Sequence, residues 1–474
     1  MLKRSVYMSA LAVRQLRDDP SRAGRLAVRL AARAAPRLRR AALAAPKPRD
    51  PARESSDLRK LLATPPYPAR PAGTGEVRRT LVFVTNSLPV TNAGYTVRTH
   101  RIALAQREAL GWDAHVVTRL GHPLAQGVGD ARARVDVDGV PYHRLLPWTP
   151  PSDPVRAVAK AADLAGRLVR DLRPDLLHAV SDHRNAAVAL ELGKRHGLPV
   201  LYEVRGFLED SWLSRSPSHR PTDDFYRLTR ELETRRMHEA DALVTLGEAM
   251  RAEIAGRGVD PAKITVVPNA VDDGFLAPLP DAAGLRAALG LPGGVPVIGL
   301  TSSFYGYEGI DTLIDAAALL RAGGDDVTLL LVGDGPERAA LERRAAERGV
   351  RAVFPGRVPP SDVRLFHALL DVFAVPRRAD RVCQLVTPLK PLEAMAGGIP
   401  VIASDVSALR EIVEPGVTGT LTLPEDAKAW ADSLGELIYS PEKRKKLGRA
   451  AREWVRAERT WRAVAAGYRA APRS

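Results

Sequence analysis

From Thr80 onward the chain alternates short, mostly apolar runs with longer stretches whose apolar positions recur every three or four residues. Leu81–Thr85, His115–Thr118, Leu176–Val180, Val200–Val204, Ala242–Leu246 and Ile264–Val267 are of the first kind. They are too short for helices and show no alternation, as expected of parallel strands covered on both faces. Between them Thr96–Leu110, Val155–Leu172, Asn185–His196, Phe225–Glu239 and Glu248–Arg257 read as helices. After a looser stretch, 273–294, the pattern restarts with strands at Val297–Leu300, Val327–Val332, Val353–Phe354 and Val372–Val375. Helices at Gly309–Ala322, Glu337–Arg348 and Ser361–Leu369 separate them, and helices continue to the end, including Trp454–Tyr468. Strand–helix alternation of this kind predicts an α/β protein with two Rossmann-like, doubly wound parallel-sheet domains. The expected boundaries are 80–272 and 273–445, with 446–474 crossing back to the first domain. Ligands of such sheets bind at the carboxyl ends of the strands, so two facing domains make a cleft.

Composition changes the picture mainly ahead of residue 80. Residues 1–46 carry eleven Lys/Arg against Asp18 and Asp19, and residues 47–79 eight against four, so most of the formal charge of +15 lies there. Residues 1–46, rich in Ala, Leu and Arg, read as a basic helical extension, either a poorly ordered or partner-docking arm or one suited to an anionic membrane surface. Residues 47–79, with many prolines, read as a linker. Nothing interleaves aromatic and basic residues as nucleic-acid binding would require. The single cysteine, Cys383, excludes an internal disulfide framework and fits a reducing cytoplasm. No run approaches the ~18 apolar residues of a membrane span. No His/Asp/Glu spacing suggests a metal centre, and no nucleophile elbow appears.

The candidate chemistry concentrates in Val386–Ser404, a Pro-punctuated turn, a short apolar helix start and a Gly397–Gly398 turn into a strand. Lys390 places a point charge at a helix N-terminus, which favours anions, and Glu393 adds an acceptor one turn later. A phosphate with a polyol attached would use both. Gly94, after the first strand, allows close approach of a ligand, and Asn269 reads as an ordering residue of the interdomain hinge.

The succession Gly94–Tyr95, Val267–Asp272, Leu331–Pro336, Phe354–Gly356 and Pro391–Ser404 resembles glycosyltransferase family 4, across about residues 80–470. Ser87–Pro89, Tyr202–Asp210, Ser303–Gly309 and Val386–Lys390 are similar to the bacterial exopolysaccharide, exosortase-associated subgroup. The resemblance implies a GT-B fold and a retaining, metal-independent transfer of a hexosyl group from a nucleotide-diphosphate sugar. The implied acceptor is a saccharide or lipid-linked glycan, used in exopolysaccharide or cell-surface glycan synthesis at the cytoplasmic membrane face. No cofactor beyond the donor substrate is implied. A hydrolysing nucleotide-sugar epimerase and a catalytically weak assembly partner share the same fold as alternatives.

By the same resemblance, Lys390 and the backbone of Thr387, Pro388 and Leu389 hold the diphosphate, Glu393 the ribose, and Arg357 lies beside the base. Gly94 and Tyr95 close from the other domain, and Glu203, Arg205 and His183 face the acceptor, with Lys390, Glu393 and His183 as the catalytic set. The chain departs from the family where Leu385 replaces a usual glutamate, Ser303 and Glu308 replace usual basic residues, and Val180 replaces a usual histidine. A carboxylate at Glu308 cannot neutralise a diphosphate, so more of that task falls to Lys390, with Arg357, Arg377, Arg378 and Arg381 in reserve.

Overall fold

The computed structural model describes residues 50–70 and 75–471. The basic stretch 1–46, expected to be helical and to meet a membrane, lies outside the described residues. Fourteen strands form two sheets among the described residues. The first contains β1 (Arg79–Val84), β2 (Asp113–Thr118), β3 (Arg134–Val137), β4 (Val140–Arg144), β5 (Leu176–Val180), β6 (Val200–Val204), β7 (Ala242–Thr245) and β8 (Ile264–Val266). Their order is β3-β4-β2-β1-β5-β6-β7-β8. Only the β3–β4 pair is antiparallel, closed by Asp138 and Gly139, both at positive φ. That Asp-Gly pair is the usual signal for a tight hairpin turn, one the apolar-run reading passed over.

The second sheet contains β9 (Val297–Ser303), β10 (Thr328–Asp334), β11 (Ala352–Gly356), β12 (Val372–Val375), β13 (Val401–Ser404) and β14 (Gly419–Thr422). All its pairs are parallel, in the order β11-β10-β9-β12-β13-β14. The central strands are buried along their length, as β6, β7 and β13 show, which is why they read as mostly apolar runs. In each sheet the strand order reverses beside the first strand: β1 lies between β2 and β5, and β9 between β10 and β12. Those two switch points open a crevice at the carboxyl ends of the strands.

The proline-rich stretch read as a linker carries a helix, Pro51–Leu62. Asp50 caps it by accepting from the Ala52 N–H at 3.0 Å, and Pro51 opens it. Leu58 and Leu61 pack it against the first domain, and Arg235 donates to the Leu62 and Thr64 carbonyls at 2.7 and 2.6 Å. The expected C-terminal helix Trp454–Tyr468 is instead broken at Arg459–Thr460. Helix Pro441–Glu458 packs on the second domain, and Trp461–Ala465 and Gly467–Ala470 return to the first.

Several contacts hold one domain on the other. Thr460 bridges to Val271. The Glu411 carboxylate accepts from the Glu248 and Ala249 N–H groups at 2.9 and 2.8 Å, capping helix Glu248–Gly256 across the interface. Arg381 pairs with Asp210 at 3.0 Å and Glu253 at 2.9 Å.

Candidate active site

The second sheet's switch point presents the ends of β9 and β12, and glycines let the adjoining loops close on them. Gly333 has φ +142°, and a Cβ there would sit 1.7 Å from the Ser302 carbonyl oxygen. Gly309 has φ +65°, and its Cβ would meet the Pro376 carbonyl at 1.8 Å. No side chain fits either place. The result is a compact charged group beneath the turn Val386–Leu389. Lys390 Nζ donates to Ser302 Oγ at 2.9 Å. Glu308 pairs with Arg377 at 3.3 Å, and Arg377 also donates to the Val386 carbonyl at 3.0 Å.

Glu308 is therefore placed differently from the sequence expectation. It lines the cleft beside Lys390 and is neutralised by Arg377. Burial would push its carboxyl up, but Arg377 and Lys390 hold it below the usual range. Arg377, read only as a reserve, becomes the cation that frees Lys390 for a ligand. Burial lowers the Lys390 ammonium, with Glu308 opposing that shift. The three charges sum to one positive charge facing the cleft. The helix that follows, Lys390–Ala396, has only seven residues, so the charge of Lys390 weighs more here than the helix end.

Opposite stand Gly94 and Tyr95. Gly94 lies so close to the donor-side turn that a Cβ would reach Leu389 Cδ1 at 3.4 Å. Tyr95 is half exposed, its hydroxyl accepting from Asn86 Nδ2 at 2.9 Å. Arg205 anchors this loop by donating to the Tyr95 carbonyl at 3.0 Å and to Thr99 Oγ1 at 2.6 Å. Gly94, Tyr95, Arg205, Thr387, Pro388, Leu389 and Lys390 all line one cleft of about 290 Å³ between the domains.

Beneath Arg205 lies a hub that the sequence did not reveal. Glu203 is fully buried and accepts from Arg98 at 3.0 Å, Arg205 at 2.9 Å and His178 at 2.9 Å. Burial would raise its carboxyl, yet Arg205 and Arg98 hold it well below the usual range. Arg98 also donates to the Val267 and Pro268 carbonyls and to Asn269 Oδ1 at 3.0 Å. Asn269 in turn donates to the Thr387 carbonyl at 2.7 Å. One chain of hydrogen bonds thus runs from the first sheet across the hinge into the turn that carries Lys390. Arg98 escaped the sequence reading because a buried arginine looks like an exposed one until its distant partners are known.

Four expected site residues are placed apart from the cleft lining. Glu203 lies under it rather than in it. Glu393 sits one turn below Lys390, half-buried, where burial pushes its carboxyl up to about 7; Lys390 opposes the rise and Asp272 adds to it. Arg357 is largely exposed and approaches Asp334 at 4.0 Å. His183, expected to face the acceptor, opens helix His183–His196 with its ring 1% exposed and both ring nitrogens without a hydrogen-bond partner. Burial pulls its imidazole down to about 3. Asp182, Arg184 and Glu233 enclose it, because the helix begins two residues earlier than the sequence suggested. Among the described residues no group of three or more His, Cys, Asp or Glu is placed to hold a metal.

Two facing Rossmann-like domains with a phosphate-sized cationic group at the second switch point define a GT-B architecture. Residues 93–270 match the glycosyl transferase 4-like domain, and residues 282–454 match the group 1 glycosyl transferases. The chain belongs to the GT-B glycosyltransferases. Among curated relatives, the GDP-mannose-dependent alpha-(1-6)-phosphatidylinositol monomannoside mannosyltransferase of Mycolicibacterium smegmatis is 34% identical over 230 residues. That match covers 48% of this chain and 60% of that protein. The 2-deoxystreptamine glucosyltransferase of Streptomyces kanamyceticus is 31% identical over 224 residues, 46% of this chain and 57% of that protein. The matched segments thus span less than two thirds of these relatives. Similar solved structures include sucrose-phosphate synthase from Thermosynechococcus elongatus, with TM-score 0.66, 22% identity and coverage of 82% of this chain and 97% of that one. Anabaena Alr3699/HepE in complex with UDP has TM-score 0.61, 22% identity and the same coverage.

Proposed function

We propose that this chain is a retaining, metal-independent hexosyltransferase that uses a nucleotide-diphosphate sugar and extends a saccharide or lipid-linked acceptor in exopolysaccharide or cell-surface glycan synthesis. One observation carries the reading: Lys390 is freed by the Glu308–Arg377 pair and held over the end of β9 by Ser302. A retaining displacement needs little covalent help from the protein. It needs the leaving diphosphate stabilised as charge develops on it, and the acceptor hydroxyl held near the anomeric carbon. Lys390, with the backbone of Thr387–Leu389, supplies the first. The leaving phosphate oxygen takes the acceptor proton, so no side-chain base is required.

Glu393 accepts from the ribose hydroxyls, Arg357 lies beside the base, and Gly94 and Tyr95 close on the sugar. Arg205 positions Tyr95 from below, and Glu203 holds Arg205. Relatives named as mannosyl- and glucosyltransferases support a hexosyl donor. Calorimetry with UDP, GDP and ADP tests the reading: at least one binds the wild-type chain, and absence of binding by all three overturns it. For the cellular setting, among the described residues no helix is long and apolar enough to cross a membrane. Peripheral attachment through residues 1–46 is tested by flotation with anionic liposomes; association that survives deletion of those residues refutes it.

A further inference from the structure

A second cavity, larger than the donor cleft, lies in the first domain. About 630 Å³ opens at the carboxyl ends of β1 and β2, on the other side of the loop that follows β1. That volume falls within the ~300–1,000 Å³ typical of small-molecule sites. It shares no lining residue with the cleft. Its floor is apolar, formed by Phe83, Val117, Leu145, Ala161 and Val188. Leu58 and Leu61 of helix Pro51–Leu62 roof it. That helix lies ahead of both matched domain regions.

Polar groups line the mouth as well. Arg119 donates to Thr85 Oγ1 and to Asp182 Oδ2, both at 2.8 Å, and Arg184 approaches Asp182 at 3.7 Å. Arg53, Arg119 and Arg184 share the lining with Asp50, Glu54, Asp57 and Asp153, so its charge is mixed. The residue after Thr85 is Asn86, which holds the Tyr95 hydroxyl on the cleft side. One short loop therefore separates the pocket mouth from the donor cleft. Of the acidic lining groups, Asp50 and Asp153 cap helices. On the same rim loop, beside Pro150 and Pro151, Trp148 is 46% exposed, an apolar ring with a polar edge of the kind that settles at a lipid–water boundary.

We propose that this pocket takes the aliphatic chain of an amphipathic acceptor, with its polar head at Arg119 and Asp182 and its reacting hydroxyl reaching past Asn86 to Tyr95. Naming that molecule the acceptor rests on the glycosyltransferase reading, whereas the chain-binding pocket does not. A dry floor of this size rewards each added methylene, whereas a hydrated polar recess does not.

The test uses the full chain and dansyl-labelled straight-chain alkanoic acids of graded length, read by fluorescence. Affinity rises about fourfold per methylene until the pocket is filled. Filling the floor with Ala161→Phe or, separately, the less buried Val188→Phe weakens binding at least tenfold and leaves nucleoside-diphosphate affinity unchanged. Binding independent of chain length, or none, overturns the proposal in the wild-type protein alone. Equal binding by a folded filled variant overturns it as well. A chain that binds a nucleoside diphosphate but no alkyl probe refutes this inference only. One that binds alkyl probes but no nucleotide refutes the proposed reaction and keeps the pocket.

Discussion

Replacing Lys390 by methionine removes a cation from the cleft while keeping most of its stem. In the native cluster Lys390, Glu308 and Arg377 together present one positive charge. In Lys390→Met the remaining pair, 3.3 Å apart, is neutral, so a diphosphate meets no net charge at the end of β9. A hydrogen bond to a charged group contributes about 1.5–3 kcal/mol, which corresponds to a loss of affinity of about 10- to 150-fold. Stability should behave differently. Lys390 is a desolvated ammonium whose burial already lowers its pKa, and among the described residues it donates to Ser302 Oγ. Glu308 keeps Arg377 in the variant, so no carboxylate is stranded. The melting temperature should therefore move by less than ~4 °C, about what one kcal/mol does to a domain of this size. Calorimetric titration with the preferred nucleotide and a thermal melt of the same sample read both quantities. Affinity within twofold of wild type would remove Lys390 from the diphosphate site. A large fall in melting temperature alongside the lost affinity would show instead that the lysine holds the fold.

Further outcomes follow from the same geometry. Glu393, raised from the usual carboxylate value to about 7, accepts ribose hydroxyls best when ionised. Affinity for a nucleotide sugar, whose diphosphate diester stays charged, should fall about tenfold from pH 8 to pH 6, and Glu393→Gln should abolish that slope; a slope that persists would point to another group. The sign for stability is opposite: the stabilising neutral form is fully present below the ordinary value and lost as pH rises through 7, so Glu393→Gln should stabilise the fold above pH 7. Glu203→Ala strips three partners of their shared acceptor in a fully buried hub and should cost ~3–5 kcal/mol in urea unfolding. A cost under ~1 kcal/mol would mean that the hub is hydrated. Gly333→Ala drives a Cβ into the Ser302 carbonyl and should cost more than ~1 kcal/mol while weakening nucleotide binding through Ser302; unchanged stability and binding would show that the loop gives way.

The two sheets were legible because parallel strands covered on both faces must be continuously apolar, and helices between them must repeat every three to four residues. β1, β6, β7, β9 and β12 all fall where such runs stand. What escaped was local chemistry that a search for apolar runs ignores: the Asp138–Gly139 hairpin, and Asp50 with Pro51 opening a helix inside a proline-rich stretch. The site divides along similar lines. Lys390 and its turn stand out as a charge among apolar and proline residues, and the structure brings them together with Gly94, Tyr95 and Arg205. Arg98, Arg377 and the true setting of Glu308 depend on pairings between residues far apart in sequence, and no periodicity records those. His183 shows the converse. A polar residue at a strand end reads as accessible, but a helix starting at that residue buries it.

The central claim is retaining transfer from a nucleotide-diphosphate sugar without a metal, and slow donor hydrolysis in the presence of EDTA tests it without knowing the acceptor. The purified chain is incubated with UDP-, GDP- and ADP-hexoses, and the first-formed free sugar is followed by proton NMR before it mutarotates. The account predicts release of a nucleoside diphosphate and of the sugar in the anomeric configuration it had in the donor. Release of the opposite anomer, or no turnover of any donor by a chain that is folded, would contradict it.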